Sequence, residues 1–242
     1  MTTISRRLLA VSAAIGLAAF ALAGCATPAG APNSSGAPSA PVVGDTELDA
    51  AWLDDGRAVG IVTQGSSTCV PTAGEPTYDA ATATLTVELT DPEGAACTRD
   101  LVPRASLVSL PAGVDPTKDL EIVVTGTYAG DTDLDGDPGL TGKAGDMTEY
   151  LPSAGWFDDG GFLILSWGSS SCVPVLEDVV ATTPLEVTAT FQTPAADQVC
   201  TADMAPRVTV AGVTGVDDDF DVQLILTGGE FDNIKVRIAG ES

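Results

Sequence analysis

Three stretches of this chain occur twice. Trp52-Leu53-Asp54-Asp55-Gly56 returns as Trp156-Phe157-Asp158-Asp159-Gly160, and Gly65-Ser66-Ser67-Thr68-Cys69-Val70-Pro71 returns as Gly168-Ser169-Ser170-Ser171-Cys172-Val173-Pro174. Further on, Cys97-Thr98-Arg99-Asp100-Leu101-Val102-Pro103-Arg104 answers to Cys200-Thr201-Ala202-Asp203-Met204-Ala205-Pro206-Arg207. The offsets are 104, 103 and 103 residues, so the copies keep step over their length with single-residue slips in loops. A period near 100 residues is too long for a solenoid or a propeller blade. It divides the folded part into duplicated domains or into two halves of one pseudo-symmetric sandwich.

Within each copy the apolar period is two, the signature of half-buried strands. Ala83, Leu85, Val87 and Leu89 alternate with threonine and glutamate, and Leu185, Val187, Ala189 and Phe191 do the same in the second copy. Leu120, Ile122 and Val124 are matched by Val222, Leu224 and Leu226, and Ile234, Val236 and Ile238 suggest a final strand. Further strands are expected after each Asp-Gly turn, at 57–64 and 162–167, and after each Pro-Arg pair, at 104–110 and 207–213. No window beyond the N-terminal segment holds a helical period. The expected fold is all-β, two tandem duplicated antiparallel β-sandwich domains, Ig-like in the loose architectural sense.

The cysteines support the duplication. Setting Cys25 aside leaves four, which allow three pairings. Each copy holds one pair at the same separation of 28 residues, so Cys69 with Cys97 and Cys172 with Cys200 is the symmetric solution. Neither a CxxC spacing nor any histidine is present to make a zinc site of them.

The N-terminus reads as a processing signal. Arg6 and Arg7 precede an apolar run from Leu8 to Ala23, 16 residues long and short of the about 20 that cross a bilayer. The run closes on Leu22-Ala23-Gly24-Cys25, which resembles the lipobox of bacterial lipoproteins. That resemblance implies diacylation of Cys25, cleavage before it, and partnership with a lipid membrane through the acylated cysteine. Ser5-Arg6-Arg7-Leu8 also resembles a twin-arginine export signal, leaving the export route open. The expected organisation is a signal peptide at 1–24, the lipidated cysteine and a flexible Ala/Pro/Gly/Ser tether at 25–46, and a first repeat at 47–130. An acidic glycine-rich linker at 131–150 and a second repeat at 151–242 complete it. Such a tether extends up to ~60 Å, at about 3.1 Å per residue.

Charge and composition then exclude whole classes of function. Ten basic against 34 acidic residues give a net charge of −24, which repels phosphate backbones and argues against nucleic acid as a partner. With no histidine, Ser-His-Asp and Cys-His nucleophiles, HExxH zinc sites and imidazole proton shuttles are unavailable.

Four features remain as candidate chemistry. Asp131-Thr132-Asp133-Leu134-Asp135-Gly136-Asp137 resembles the first half of a DxDxDG calcium loop, which would make Asp131, Asp133 and Asp135 ligands. The twelfth position is Gly142 rather than a bidentate glutamate, and a solvated acidic linker is the plainer reading. The Asp-Asp-Gly after each tryptophan has the elements of a sugar platform or carboxylate pair, but it reads first as a turn with Trp52 and Trp156 in the core. Serines before Cys69 and Cys172 would need a lysine base such as Lys118 or Lys143, neither of which recurs in the other copy. Asp100 with Arg104, and Asp203 with Arg207, are expected to form local ion pairs.

Together these features suggest a membrane-anchored extracytoplasmic lipoprotein. Its repeats would act as a non-catalytic binding or interaction module for an unidentified extracytoplasmic protein or ligand, without a required cofactor. The alternative is a carboxylate-dependent hydrolase of cell-wall or extracellular glycans. The Ala-, Val-, Asp- and Thr-rich composition, with more Arg than Lys, and the repeat resemble uncharacterised surface lipoproteins of actinobacteria. That resemblance implies anchoring on the outer face of the cell membrane.

Overall fold

Fifteen β-strands carry the described part of the chain, which in this computed structural model comprises residues 47–216 and 220–240. The signal peptide, Cys25 and the tether lie outside the described residues. The first copy contributes β1 (Asp49–Leu53), β2 (Ala58–Gly65), β3 (Thr72–Ala73), β4 (Thr77–Asp79), β5 (Thr84–Thr90), β6 (Val102–Ser109), β7 (Leu120–Gly126) and β8 (Gly130–Leu134). The second contributes β9 (Ser153–Asp158), β10 (Gly161–Gly168), β11 (Leu176–Thr183), β12 (Glu186–Phe191), β13 (Ala205–Gly212), β14 (Gln223–Gly228) and β15 (Phe231–Ala239). The protein is all-β, with several sheets.

Strand order repeats from copy to copy. In the first, β1-β2-β6 form one sheet and β3-β5-β7-β8 another, with β4 also on β5. In the second, β9-β10-β13 and β11-β12-β14-β15 correspond to them, and Ile238 and Ala239 pair with Ala154 and Gly155 to join the two into one seven-stranded sheet. The expectation of purely antiparallel sheets is corrected here. The pairs β5/β7, β12/β14 and β15/β9 are parallel. The reason for the first two is the crossover: between β5 and β7 the chain visits the other sheet as β6, and it returns running in its original direction. Alternation along a strand records which face is buried and says nothing of the neighbour's direction.

The alternating residues build one core per copy. Trp52, Val59, Ile61 and Val108 of one sheet meet Leu85, Val87, Leu89, Leu120, Ile122 and Val124 of the other. Trp156, Phe162 and Ile164 meet Val187, Phe191, Leu224 and Leu226 in the same way. Ala83 and Leu185, read as strand positions from the alternation, lie outside β5 and β12, and Leu185 is exposed.

A third apolar cluster joins the copies. Ala51, Leu53, Ala58 and Val62, on the opposite face of the β1-β2-β6 sheet, pack against Leu163 and Leu165 of β10. Consequently β2 is buried continuously from Ala58 to Thr63 and β10 from Phe162 to Ser166. Strands covered on both faces read as unbroken apolar runs, and Ala-Val-Gly-Ile-Val and Phe-Leu-Ile-Leu are such runs. Full burial of Leu163 or Leu165 contributes about 1.5–3 kcal/mol each. Glycine permits the close approach: a Cβ on Gly155 would lie 2.2 Å from the Trp52 carbonyl oxygen.

Candidate functional site

Both disulfides form as the repeat requires, Cys69–Cys97 and Cys172–Cys200, each with Cα atoms 5.5 Å apart. Beneath each lies an arginine. Arg104 of β6 is buried, donates through Nη1 to the Ser66 carbonyl at 3.1 Å and to the Cys69 carbonyl, and through Nη2 to the Tyr128 hydroxyl. Arg207 of β13 donates to the Cys172 carbonyl at 3.1 Å, the Trp167 carbonyl at 2.8 Å and Glu230 at 3.1 Å. The expected local pairs Asp100–Arg104 and Asp203–Arg207 are therefore corrected. Four residues of extended chain span about 13 Å, beyond ion-pair reach. Each guanidinium instead satisfies carbonyls of the disulfide loop, and Gly65 and Gly168 admit it, since a Cβ there would lie 2.4 Å or 2.5 Å from Nη2.

Above each disulfide the hydroxyls gather on a carboxylate. The Ser66 and Thr98 side-chain oxygens are 2.8 Å apart, as are those of Ser169 and Thr201. Thr98 donates to Asp100, and Thr201 to Asp203. Hydrogen bonds from Ser67 and Thr98 pull Asp100 down to about 2, and those from Thr201 and Ser170 hold Asp203 far below the usual carboxylate range. A carboxylate so readily ionised is a weak general base for the serines beside it. Lys118, considered as a base, is ion-paired with Asp115 at 2.9 Å. The duplicated cluster acts as a clasp that fixes the loop around its disulfide.

The acidic stretch after β7 is not a linker at its start. Asp131 and Asp133 lie on β8, opposite Val123 and Glu121 of β7, and both are exposed. Alternate residues of a strand are about 6.7 Å apart with parallel side chains, so this backbone does not gather Asp131, Asp133 and Asp135 around one centre. The Asp135 carbonyl accepts the Trp52 indole N–H at 2.7 Å. Among the described residues no group of three or more His, Cys, Asp or Glu side chains is arranged to hold a metal ion. The expected boundary at 131–150 shifts accordingly: β8 belongs to the first copy, and the following strap packs Leu140 and Ala144 into that copy's core. Only Leu134 of β8 faces inward as a large apolar group, which is why the strand reads as polar linker.

Each Asp-Asp-Gly forms a turn, with Gly56 at φ 82° and Gly160 at φ 69°, and Trp52 and Trp156 are core residues rather than platforms. The two turns differ in surroundings. Asp54 is buried, accepts the Thr148 hydroxyl at 2.9 Å and is pushed up by burial, while Asp55 accepts the Thr141 N–H at 3.0 Å and its hydroxyl at 2.9 Å. Asp158 and Asp159 stay exposed and line an open cleft of about 790 Å³.

This cleft is the site that inspection of motifs misses. Its rim carries Asp49, Asp158, Asp159, Glu177 and Asp178, and among the described residues no lysine or arginine lines it. Phe157, Leu176, Val179, Val210 and Val213 supply its apolar surface. Asp49 is pushed up from the ordinary aspartate value by burial first, then by the charges of Asp158 and Glu47. Asp49 comes from the first copy and the other four acids from the second, so only folding brings them together. The available signal was Leu-Glu-Asp-Val-Val at 176–180, acidic residues within an otherwise β-forming run.

Fold and site thus define a class: an all-β, disulfide-bonded protein of two homologous repeats with an acidic cleft. No protein-family model, curated protein or solved structure matches the chain.

Proposed function

We propose that the chain is a membrane-anchored extracytoplasmic lipoprotein whose copies are tandem β-sandwich domains, loosely Ig-like, forming a non-catalytic binding module. The observation that carries the binding reading is the open cleft, broad, of mixed apolar and polar lining, and rimmed by charges of one sign. Its volume falls within the range of about 300–1,000 Å³ found for ligand sites. Leu22-Ala23-Gly24-Cys25 supports the anchor, and two disulfides fit maturation in an oxidising environment. Expression in a bacterium fed an alkyne fatty acid tests the anchor. Label on the wild type and loss of both label and membrane retention in Cys25→Ser are expected, and unlabelled, fully soluble wild type would refute it.

One observation favours a glycan hydrolase as second reading: Asp49, pushed up, shares the cleft with Asp158. Two carboxyl groups facing one cleft are the arrangement glycoside hydrolysis uses. Release of reducing ends from cell-wall polysaccharide by the wild type, abolished in Asp158→Asn, would establish it.

A further inference from the structure

We propose that the cleft between the end strands of the seven-stranded sheet takes an extended polypeptide bearing lysine or arginine, which pairs with a free strand edge. The proposal deepens the binding-module reading and rests on it.

The seven-stranded sheet runs β11-β12-β14-β15-β9-β10-β13, so β11 and β13 each have one side without a strand neighbour among the described residues. These end strands nevertheless come back to within 8 Å of each other, backbone to backbone. The two end strands thus approach without pairing. Leu176–Val179 of β11 and Val210–Gly212 of β13 both line the cleft. Unpaired strand edges present a row of backbone donors and acceptors, the template for strand addition.

The first copy holds the corresponding edge differently. There the counterpart of β11 is broken into β3 and β4, and its entry is fastened to β6: the buried Ser106 hydroxyl donates to the Pro71 carbonyl at 2.7 Å. The corresponding residues of the second copy are Thr209 and Pro174, and among the described residues' hydrogen bonds none joins them. Two copies of one unit therefore differ at this place. One has a short, broken edge tied down by this bond, and the other has an eight-residue edge strand, with irregularities near each end, facing a cleft.

The charge pattern selects the occupant. A strand alternates its side chains between two directions, so a segment with cations at every second position directs those cations to Asp158 and Asp178 and its apolar residues to Val179. Such a segment also relieves the repulsion between Asp49 and Asp158. An acidic segment, or a second copy of this chain at net charge −24, meets only like charge.

The test is fluorescence anisotropy of the purified full chain with a labelled Lys-Val-Lys-Val-Lys-Val peptide, a Glu-Val-Glu-Val-Glu-Val peptide and spermine as probes. Hydrogen exchange of the bound state is followed alongside. Expected are binding of the lysine peptide alone, weakening with salt, new amide protection in β11 or β13, and about tenfold weaker binding in Asp158→Asn/Asp178→Asn. The double variant replaces exposed residues, and an unchanged thermal transition separates lost binding from lost folding. Absent binding of the lysine peptide, protection elsewhere, equal affinity for spermine, or a dimer formed through β11 would each overturn the proposal. If the peptide fails while Cys25 is lipidated, the anchored binding module stands and this ligand is withdrawn. If lipidation fails while the peptide binds, the reverse holds.

Discussion

Asp137 and Arg237 stand 100 residues apart in the chain and 2.6 Å apart in the structure. One follows β8 of the first copy and the other lies on β15 of the second, so their ion pair ties the strap of one repeat to the last strand of the other. Asp137 is buried and also accepts the Gly240 N–H at 2.8 Å and the Gly139 N–H at 2.7 Å. Burial opposes its ionisation, but the Gly240 N–H, Arg237 and the Gly139 N–H outweigh it and hold the carboxyl below the usual range.

Removing either partner separates two contributions. Asp137→Ala leaves two backbone donors without an acceptor and is expected to destabilise by about 2–4 kcal/mol. Arg237→Ala, from a partly exposed site, costs about 1–2 kcal/mol. Because the folded carboxyl is held below its unfolded value, its stabilisation is complete above that value, near 3.9. It is lost as the pH falls from there through the folded value. Urea denaturation at pH 7 and pH 3 should therefore show the Asp137→Ala deficit shrinking at the lower pH.

The interface between copies distinguishes two glycines. A Cβ at Gly155 meets the Trp52 carbonyl oxygen at 2.2 Å, a backbone atom, whereas a Cβ at Gly60 meets Leu163 Cδ1 at 2.3 Å, the end of a side chain that can rotate. Gly155→Ala is expected to destabilise by about 1–3 kcal/mol and Gly60→Ala by less, since only the second site can repack. Chemical denaturation of the two variants side by side checks the order.

Each disulfide closes a loop of the same length, with a separation of 28 residues. The Cys69→Ala/Cys97→Ala variant should lose ~3.5 kcal/mol in the chain-entropy description. Its counterpart in the second copy should lose a similar amount. Equilibrium unfolding of both double variants gives the comparison, and peptide mapping under non-reducing conditions should recover only the within-copy pairs.

Titration of Asp100 reports on the clasp above the first disulfide. Its carboxyl, at about 2 in the wild type, should rise toward the ordinary value in Thr98→Val, as one of its two principal donors is removed. Carbonyl carbon NMR across the acid range measures it, and an unchanged midpoint would place the effect on Ser67 alone.

Much of this architecture can be read from the sequence. The 103-residue offsets, the alternation at 85–89 and 187–191, and the symmetric cysteines specify a duplicated, disulfide-pinned β protein, because side-chain period and repeat spacing are local properties. The direction of β7 beside β5 is not local, since it depends on where β6 lies. Nor is the role of Arg104: sequence proximity suggested Asp100, while the fold offers the Cys69 carbonyl and Tyr128.

By itself, then, the sequence determined the unit, its duplication, its cysteine pairing and the absence of imidazole chemistry. Tertiary structure alone decided that Leu163 packs against the first copy, that Asp131 and Asp133 lie on a paired strand rather than in a loop, and that Asp49 joins Asp158 and Asp178 around one cleft. The physical reason is that a strand's sequence encodes which of its faces is apolar. Which sheet covers that face, and which edge is left unpaired, follow only when the sheets pack.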